Sequence, residues 1–195
     1  MVENFFAALP CREGHFLLES GYHSDLWFDL DALFVDTERI APLIRALANQ
    51  LRPYEPTAIC GPLLGGAFLA LAIARELKLK FYFTRQQQNG KQGTLYQAVY
   101  SLPSGLDLSG ERVAVVDDVI SAGSSVRATC ESLKKSDAQI VAIGSLMLLG
   151  EATENYFSQL GIPIAAVSRR EFNLWHPEDC PACRANVPLT NPAKE

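Results

Sequence analysis

Residues 113–126 constrain the fold of this chain more than any other stretch. They read Val113-Ala114-Val115-Val116-Asp117-Asp118-Val119-Ile120-Ser121-Ala122-Gly123-Ser124-Ser125-Val126. Four consecutive apolar residues, three of them valine, predict a strand buried on both faces, as inside a parallel sheet. The strand runs into two adjacent carboxylates. A small-residue turn follows, then a helix predicted over about 125–135. In an open parallel sheet, ligands bind at the carboxyl ends of strands, where this turn must lie. Free backbone N–H groups at the start of the helix, together with its dipole, form an anion site. Gly123 lets the backbone approach a ligand closely, and Ser121, Ser124 and Ser125 add hydroxyl donors. The two carboxylates beside it suit vicinal hydroxyls and repel phosphate, so the two halves would orient a phosphorylated polyol. The plainer alternative is a strand-to-helix turn with an acidic cap. Two carboxylates at the end of a buried strand are costly without a ligand or partner.

The rest of the chain places this segment in an α/β architecture. Residues 15–31 alternate loosely around Gly21 and predict a short hairpin. Residues 1–9 predict a short amphipathic helix. Asp36 offers a helix cap, with Ile40, Leu43, Ile44, Leu47 and Leu51 recurring at helical spacing up to Pro53. Strands are then predicted at 57–60, 79–84, 95–102, 113–116, 140–149 and 164–167. Helices are predicted at about 67–77, 125–135 and 153–160, so strands alternate with helices as in a mostly parallel sheet flanked by helices. Residues 86–94 are polar and contain glycine, which predicts a mobile loop. The tail from Phe172 reads as irregular. At 195 residues and 48% apolar the chain suits one domain with a full core.

The net charge of −5 argues against nucleic acid as a partner. No apolar run is long enough to span a membrane. The start lacks the basic and apolar regions of a signal peptide. Five cysteines, an odd number, argue against a disulfide scaffold. A cytoplasmic protein is the expectation. Neither a GxxxxGK[ST] loop nor a GxGxxG fingerprint occurs.

Residues 113–126 resemble the phosphoribosyl pyrophosphate signature of type I phosphoribosyltransferases. The resemblance implies that family's α/β fold, with a small N-terminal hood. It implies that Asp117 and Asp118 hold the ribose hydroxyls and that Ser121, Ala122, Gly123, Ser124 and Ser125 cradle the 5-phosphate. Gly61-Pro62-Leu63-Leu64-Gly65-Gly66, between a strand and a helix, resembles the family's pyrophosphate loop. Residues 14–25, with Phe16, Leu18, Ser20, Gly21 and Ser24, resemble the hood of orotate phosphoribosyltransferases. Trp27 and Phe28 then match positions lining the base pocket, and Arg169 matches an arginine on the orotate side, with Arg170 one position away. The resemblance implies transfer of phosphoribose from phosphoribosyl pyrophosphate (PRPP) to orotate. Mg²⁺ would arrive on PRPP without a direct protein metal site, and the assembly would be a homodimer. It divides the chain into a hood at 1–35, a core at 36–171 and a tail at 172–195.

Two departures stand out. The mobile loop of orotate phosphoribosyltransferases opens with Arg-Lys and carries further Lys and His. Here Arg85 is followed by Gln86, and Lys91 is the loop's lysine, so Arg85 and Lys91 are left to meet the pyrophosphate. Glu19 stands where many members have a basic or neutral residue. These departures leave open a different acceptor base, or a sensor that binds PRPP or a nucleotide without turnover. The tail Trp175-His176-Pro177-Glu178-Asp179-Cys180-Pro181-Ala182-Cys183 resembles the C-terminus of one bacterial and archaeal branch. Its C-x-x-C is expected to be a structural or free thiol pair. The alternative is a metal site with His176 as third ligand, although zinc asks for four.

Overall fold

A computed structural model of the chain describes residues 11–28, 31–87 and 98–192. The expected helix at 1–9 and Lys91 lie outside the described residues. Strands β1 (Cys11–Leu17) and β2 (His23–Phe28) form an antiparallel hairpin, with an irregularity in register between Glu13 and Phe16. A 3₁₀ turn, Asp31–Phe34, leads to helix α1 (Thr37–Leu51). The Asp36 carboxylate accepts from the Arg39 N–H at 3.0 Å, capping the helix as its sequence predicts. Ile40, Leu43, Leu47, Ala48 and Leu51 are buried along one face.

From there strands and helices alternate except at β4–β6: β3 (Ala58–Pro62), α2 (Gly65–Leu77), β4 (Lys80–Gln86), β5 (Tyr100–Ser101), β6 (Arg112–Ile120), α3 (Ser124–Lys134), β7 (Gln139–Leu149), α4 (Ala152–Gln159) and β8 (Ile164–Arg170). The sheet runs β5-β4-β3-β6-β7-β8. Five of its strands, β4-β3-β6-β7-β8, are parallel, and β5 is antiparallel at one edge. Successive side chains alternate between two layers. Ile59, Ala114 and Val116 pack against α1 and α2. Ala58, Cys60, Val113 and Val115 pack against α3 and α4.

Two expectations need correction. The strand predicted at 113–116 continues to Ile120, because β7 pairs with it through Asp117, Val119 and Ile120. The two acids are therefore strand residues, not turn residues. The glycine-rich segment predicted as a six-residue loop is mostly regular: β3 runs to Pro62 and α2 starts at Gly65, leaving Leu63 and Leu64 between them. The Leu63–Leu64 peptide is cis.

The tail is less irregular than its composition implies. Trp175 exchanges two backbone hydrogen bonds with His23, both 2.9 Å. Thr190 bonds to Leu17 and His15, both at 2.8 Å. A short helix, α5 (Pro181–Arg184), lies between these contacts. The tail thus flanks both strands of the hairpin.

Candidate functional site

The sheet reverses its winding between β3 and β6. From β3 the chain crosses through α2 to β4 on one side, and from β6 through α3 to β7 on the other. Such a switch point opens a crevice beyond the strand ends. A cleft of about 360 Å³ lies there, lined by Pro62, Leu63, Leu64 and Gly65 after β3 and by Asp117–Ser121 and Gly123–Ser125 at the end of β6. Leu18, Glu19, Ser20 and Trp27 of the hairpin and Tyr100 of β5 complete the wall.

Asp117 is buried, and its carboxylate accepts from Ser125 Oγ at 2.7 Å and from the Asp118 N–H at 3.1 Å. Burial and the neighbouring Asp118 charge push its carboxyl well above the usual carboxylate range. Asp118 accepts from the Val119 N–H at 2.8 Å. The two glycines opening α2 press against this pair. A Cβ on Gly65 would lie 2.3 Å from Asp118 Oδ2, and one on Gly66 would lie 2.6 Å from Asp117 Oδ1. A side chain at either position would displace one of the two acids, which accounts for the Gly-Gly pair.

Gly123 caps α3 at φ +76°, a conformation that favours glycine. A Cβ there would also lie 2.5 Å from Thr153 Oγ1, which itself donates to the Ser121 carbonyl at 2.6 Å. The turn is therefore held from α4 while α3 starts at Ser124, with its first N–H groups at the cleft. Ala122 is buried behind the turn. This geometry can bind an anion at the head of α3 and hydroxyls at the two carboxylates.

The base-side residues separate. Trp27 lines the cleft, while its neighbour Phe28 faces the core, as alternation along β2 requires. Arg169 is not brought to the cleft; its guanidinium pairs with Glu154 at 3.3 Å in an exposed contact. Arg170 points the other way and lies over the Phe28 ring at 5.1 Å. Arg85 is exposed at the end of β4, with its guanidinium 5.2 Å from the Phe83 ring centre.

The two departures noted in the sequence meet in space. Gln86 Nε2 donates to Glu19 Oε1 at 3.1 Å, and Tyr100 OH donates to the same oxygen at 2.9 Å. Burial pushes the Glu19 carboxyl up. Tyr100 was not foreseen as a site residue. It follows the polar loop expected at 86–94, and pairing of β5 with β4 brings it to Glu19 of the hood.

The sequence pattern of the phosphoribosyl transferase domain matches residues 34–165. Orotate phosphoribosyltransferase of Thermotoga maritima is 33% identical over 92% of this chain and 90% of its own length. That of Caldanaerobacter subterraneus is 28% identical over 93% and 89%. Among solved structures, adenine phosphoribosyltransferase from Thermoanaerobacter pseudethanolicus superposes with a TM-score of 0.70 at 17% identity, covering 87% of this chain and 100% of that one. Orotate phosphoribosyltransferase from Aeropyrum pernix superposes with a TM-score of 0.65 at 24% identity, covering 82% and 87%. The switch-point cleft, the paired acids and the sequence relatives converge: the chain belongs to the type I phosphoribosyltransferase family, in its orotate phosphoribosyltransferase branch.

Proposed function

We propose that this protein transfers phosphoribose from PRPP to orotate, releasing pyrophosphate and forming orotidine 5-phosphate, a step of pyrimidine nucleotide synthesis. The carrying observation is the meeting of Asp117–Ser121 and Gly123–Ser125 with Leu63–Gly65 in one cleft at the switch point. In this reading the 5-phosphate sits on residues 121–125, against the free N–H groups of α3. Asp117 and Asp118 accept from the ribose hydroxyls, and residues 61–66 face the pyrophosphate.

The bond from ribose C1 to the pyrophosphate oxygen breaks while C1 bonds to orotate N1, which gives up its proton. The transition state carries positive charge on the ribose and growing negative charge on the leaving group. Carboxylates beside the ribose favour the former. Backbone N–H groups, Arg85 and Lys91 would meet the latter. Holding the two reactants in line supplies much of the rest.

The residues fit a Mg²⁺ ion carried in on PRPP. The Asp117–Asp118 carboxyl pair borders the cleft that would receive PRPP, an oxygen-lined setting suited to a hard cation carried on the ligand. Burial first, and then the Asp118 charge, raise the Asp117 carboxyl, and a nearby dication would offset the second of these. When bound, Mg²⁺ neutralises charge on the pyrophosphate. Trp27 and Leu18 form an apolar wall suited to a planar base under the hood (1–35), with 36–171 as core.

All five cysteines are free thiols, which suits the reducing cytoplasm. Leu64, Phe68 and Leu71 form an exposed apolar stripe along α2, the kind of surface a homodimer would cover.

The test is formation of orotidine 5-phosphate from orotate, PRPP and Mg²⁺, with Asp118→Asn as control. Turnover in the parent and its loss in the variant are expected. Binding of PRPP without any product would favour the sensor reading, which the Gln86–Glu19 contact suggests.

A further inference from the structure

The hairpin and the tail meet at a cluster that the reaction does not use. His15, His23 and Cys180 are buried and Cys183 is half-buried. Their four ligand atoms all lie within 4.8 Å of one another. His15 Nε2 is 2.9 Å from His23 Nδ1, 3.4 Å from Cys180 Sγ and 3.6 Å from Cys183 Sγ. Cys183 Sγ is 3.3 Å from His23 Nδ1. A tetrahedral zinc ion with ordinary Zn–N and Zn–S bonds sets ligand atoms about 3.3 to 3.8 Å apart. The four contacts named match to within about half an ångström, and the widest separation in the cluster, 4.8 Å, would close by about 1 Å on binding.

His15 Nδ1 lies 2.9 Å from the Val187 carbonyl, which can only accept, so Nδ1 carries the proton. The Nε2 lone pair then faces His23 Nδ1 and both thiols. The same arrangement is how metal-binding histidines are oriented, with one nitrogen donating to a carbonyl while the other faces the ion. The backbone supports the placement. His15 lies in the irregular part of β1, two residues before Leu17, which pairs with His23, so both rings fall on one face. The C-x-x-C spans the start of α5, turning both sulfurs towards them.

We propose that His15, His23, Cys180 and Cys183 form a Cys₂His₂ zinc site that clamps the C-terminal tail to the hood. A two-stranded hairpin has little stability of its own, and a structural metal supplies folding free energy directly. The clamp would fix the wall that carries Leu18, Glu19, Ser20 and Trp27. It does not depend on which base is accepted.

The experiment uses untagged full-length protein expressed with zinc, assayed for metal by plasma mass spectrometry. One zinc per chain is expected. Cys183→Ser and His23→Asn should each weaken zinc binding by at least about 100-fold, since loss of an outer partner alone costs 10- to 100-fold. Asp118→Asn should keep full occupancy. Replacing zinc with Co²⁺ should give thiolate-to-cobalt charge-transfer bands in the parent and weaker ones in Cys183→Ser. Parent protein with all thiols reduced that holds no zinc and gives no such bands would overturn the proposal. So would full zinc retention in both variants.

Discussion

Gly65 and Gly66 carry as much of the candidate site as the acids they touch. Gly65→Ala drives a methyl group into Asp118, and a displacement near 1 Å at a reacting centre can cost about 10²-fold in rate. We expect at least that loss in kcat/KM with the circular dichroism spectrum unchanged. Asp117 makes a pH prediction whose sign is fixed by its raised folded pKa. The neutral carboxyl is favoured by folding, so stability conferred at low pH is lost as pH rises from the unfolded value, about 4, through the folded one. Thermal midpoints of the ligand-free protein should fall across that window, and Asp117→Asn should flatten the decline. Gln86 and Glu19 form a coupled pair. Gln86→Lys should raise turnover less when Glu19 is present to capture the new ammonium. A double-mutant cycle with Glu19→Gln should give a coupling of about 0.5–3 kcal/mol in ΔΔG‡. The acids and the small-residue turn were legible because they are contiguous. The Glu19–Gln86–Tyr100 contact was not, since its members lie up to 81 residues apart.

At the scale of elements, caps and periodicity located α1 well. Asp36 and the buried stripe are local signals, and both appear as read except that Ile44 is half-buried and Ala48 takes a buried place in the stripe. The extent of β6 was not legible because a polar pair ends an apolar run in sequence, whereas pairing with β7 continues the ladder past it. Stability should follow the packing of these elements. Leu47 is fully buried between α1 and the sheet. Leu47→Ala should cost about 2–5 kcal/mol in urea unfolding while leaving KM for PRPP near its parent value, because α1 does not line the cleft.

For the whole molecule, strand–helix alternation was enough to read a mostly parallel sheet, and the strand order then explains why one cleft gathers residues from β3, β6 and the hood. The partners of the tail could not be read the same way. His15 and Cys180 are separated by 165 residues, and His176, the nearer candidate ligand, instead packs edge-on against Tyr22 at 6.2 Å. The apolar stripe on α2 belongs to this scale too. The proposed homodimer predicts that Phe68→Glu, which sets a charge in the middle of Leu64, Phe68 and Leu71, lowers the sedimentation coefficient to that of a monomer.

The fold is shared with adenine phosphoribosyltransferases, so the choice of acceptor is the central claim. The most direct measurement offers the protein orotate and adenine together with PRPP and Mg²⁺ and separates the nucleotide products by chromatography. Orotidine 5-phosphate as the only product is the predicted result. Adenosine monophosphate, or PRPP bound with neither nucleotide formed, would contradict the account.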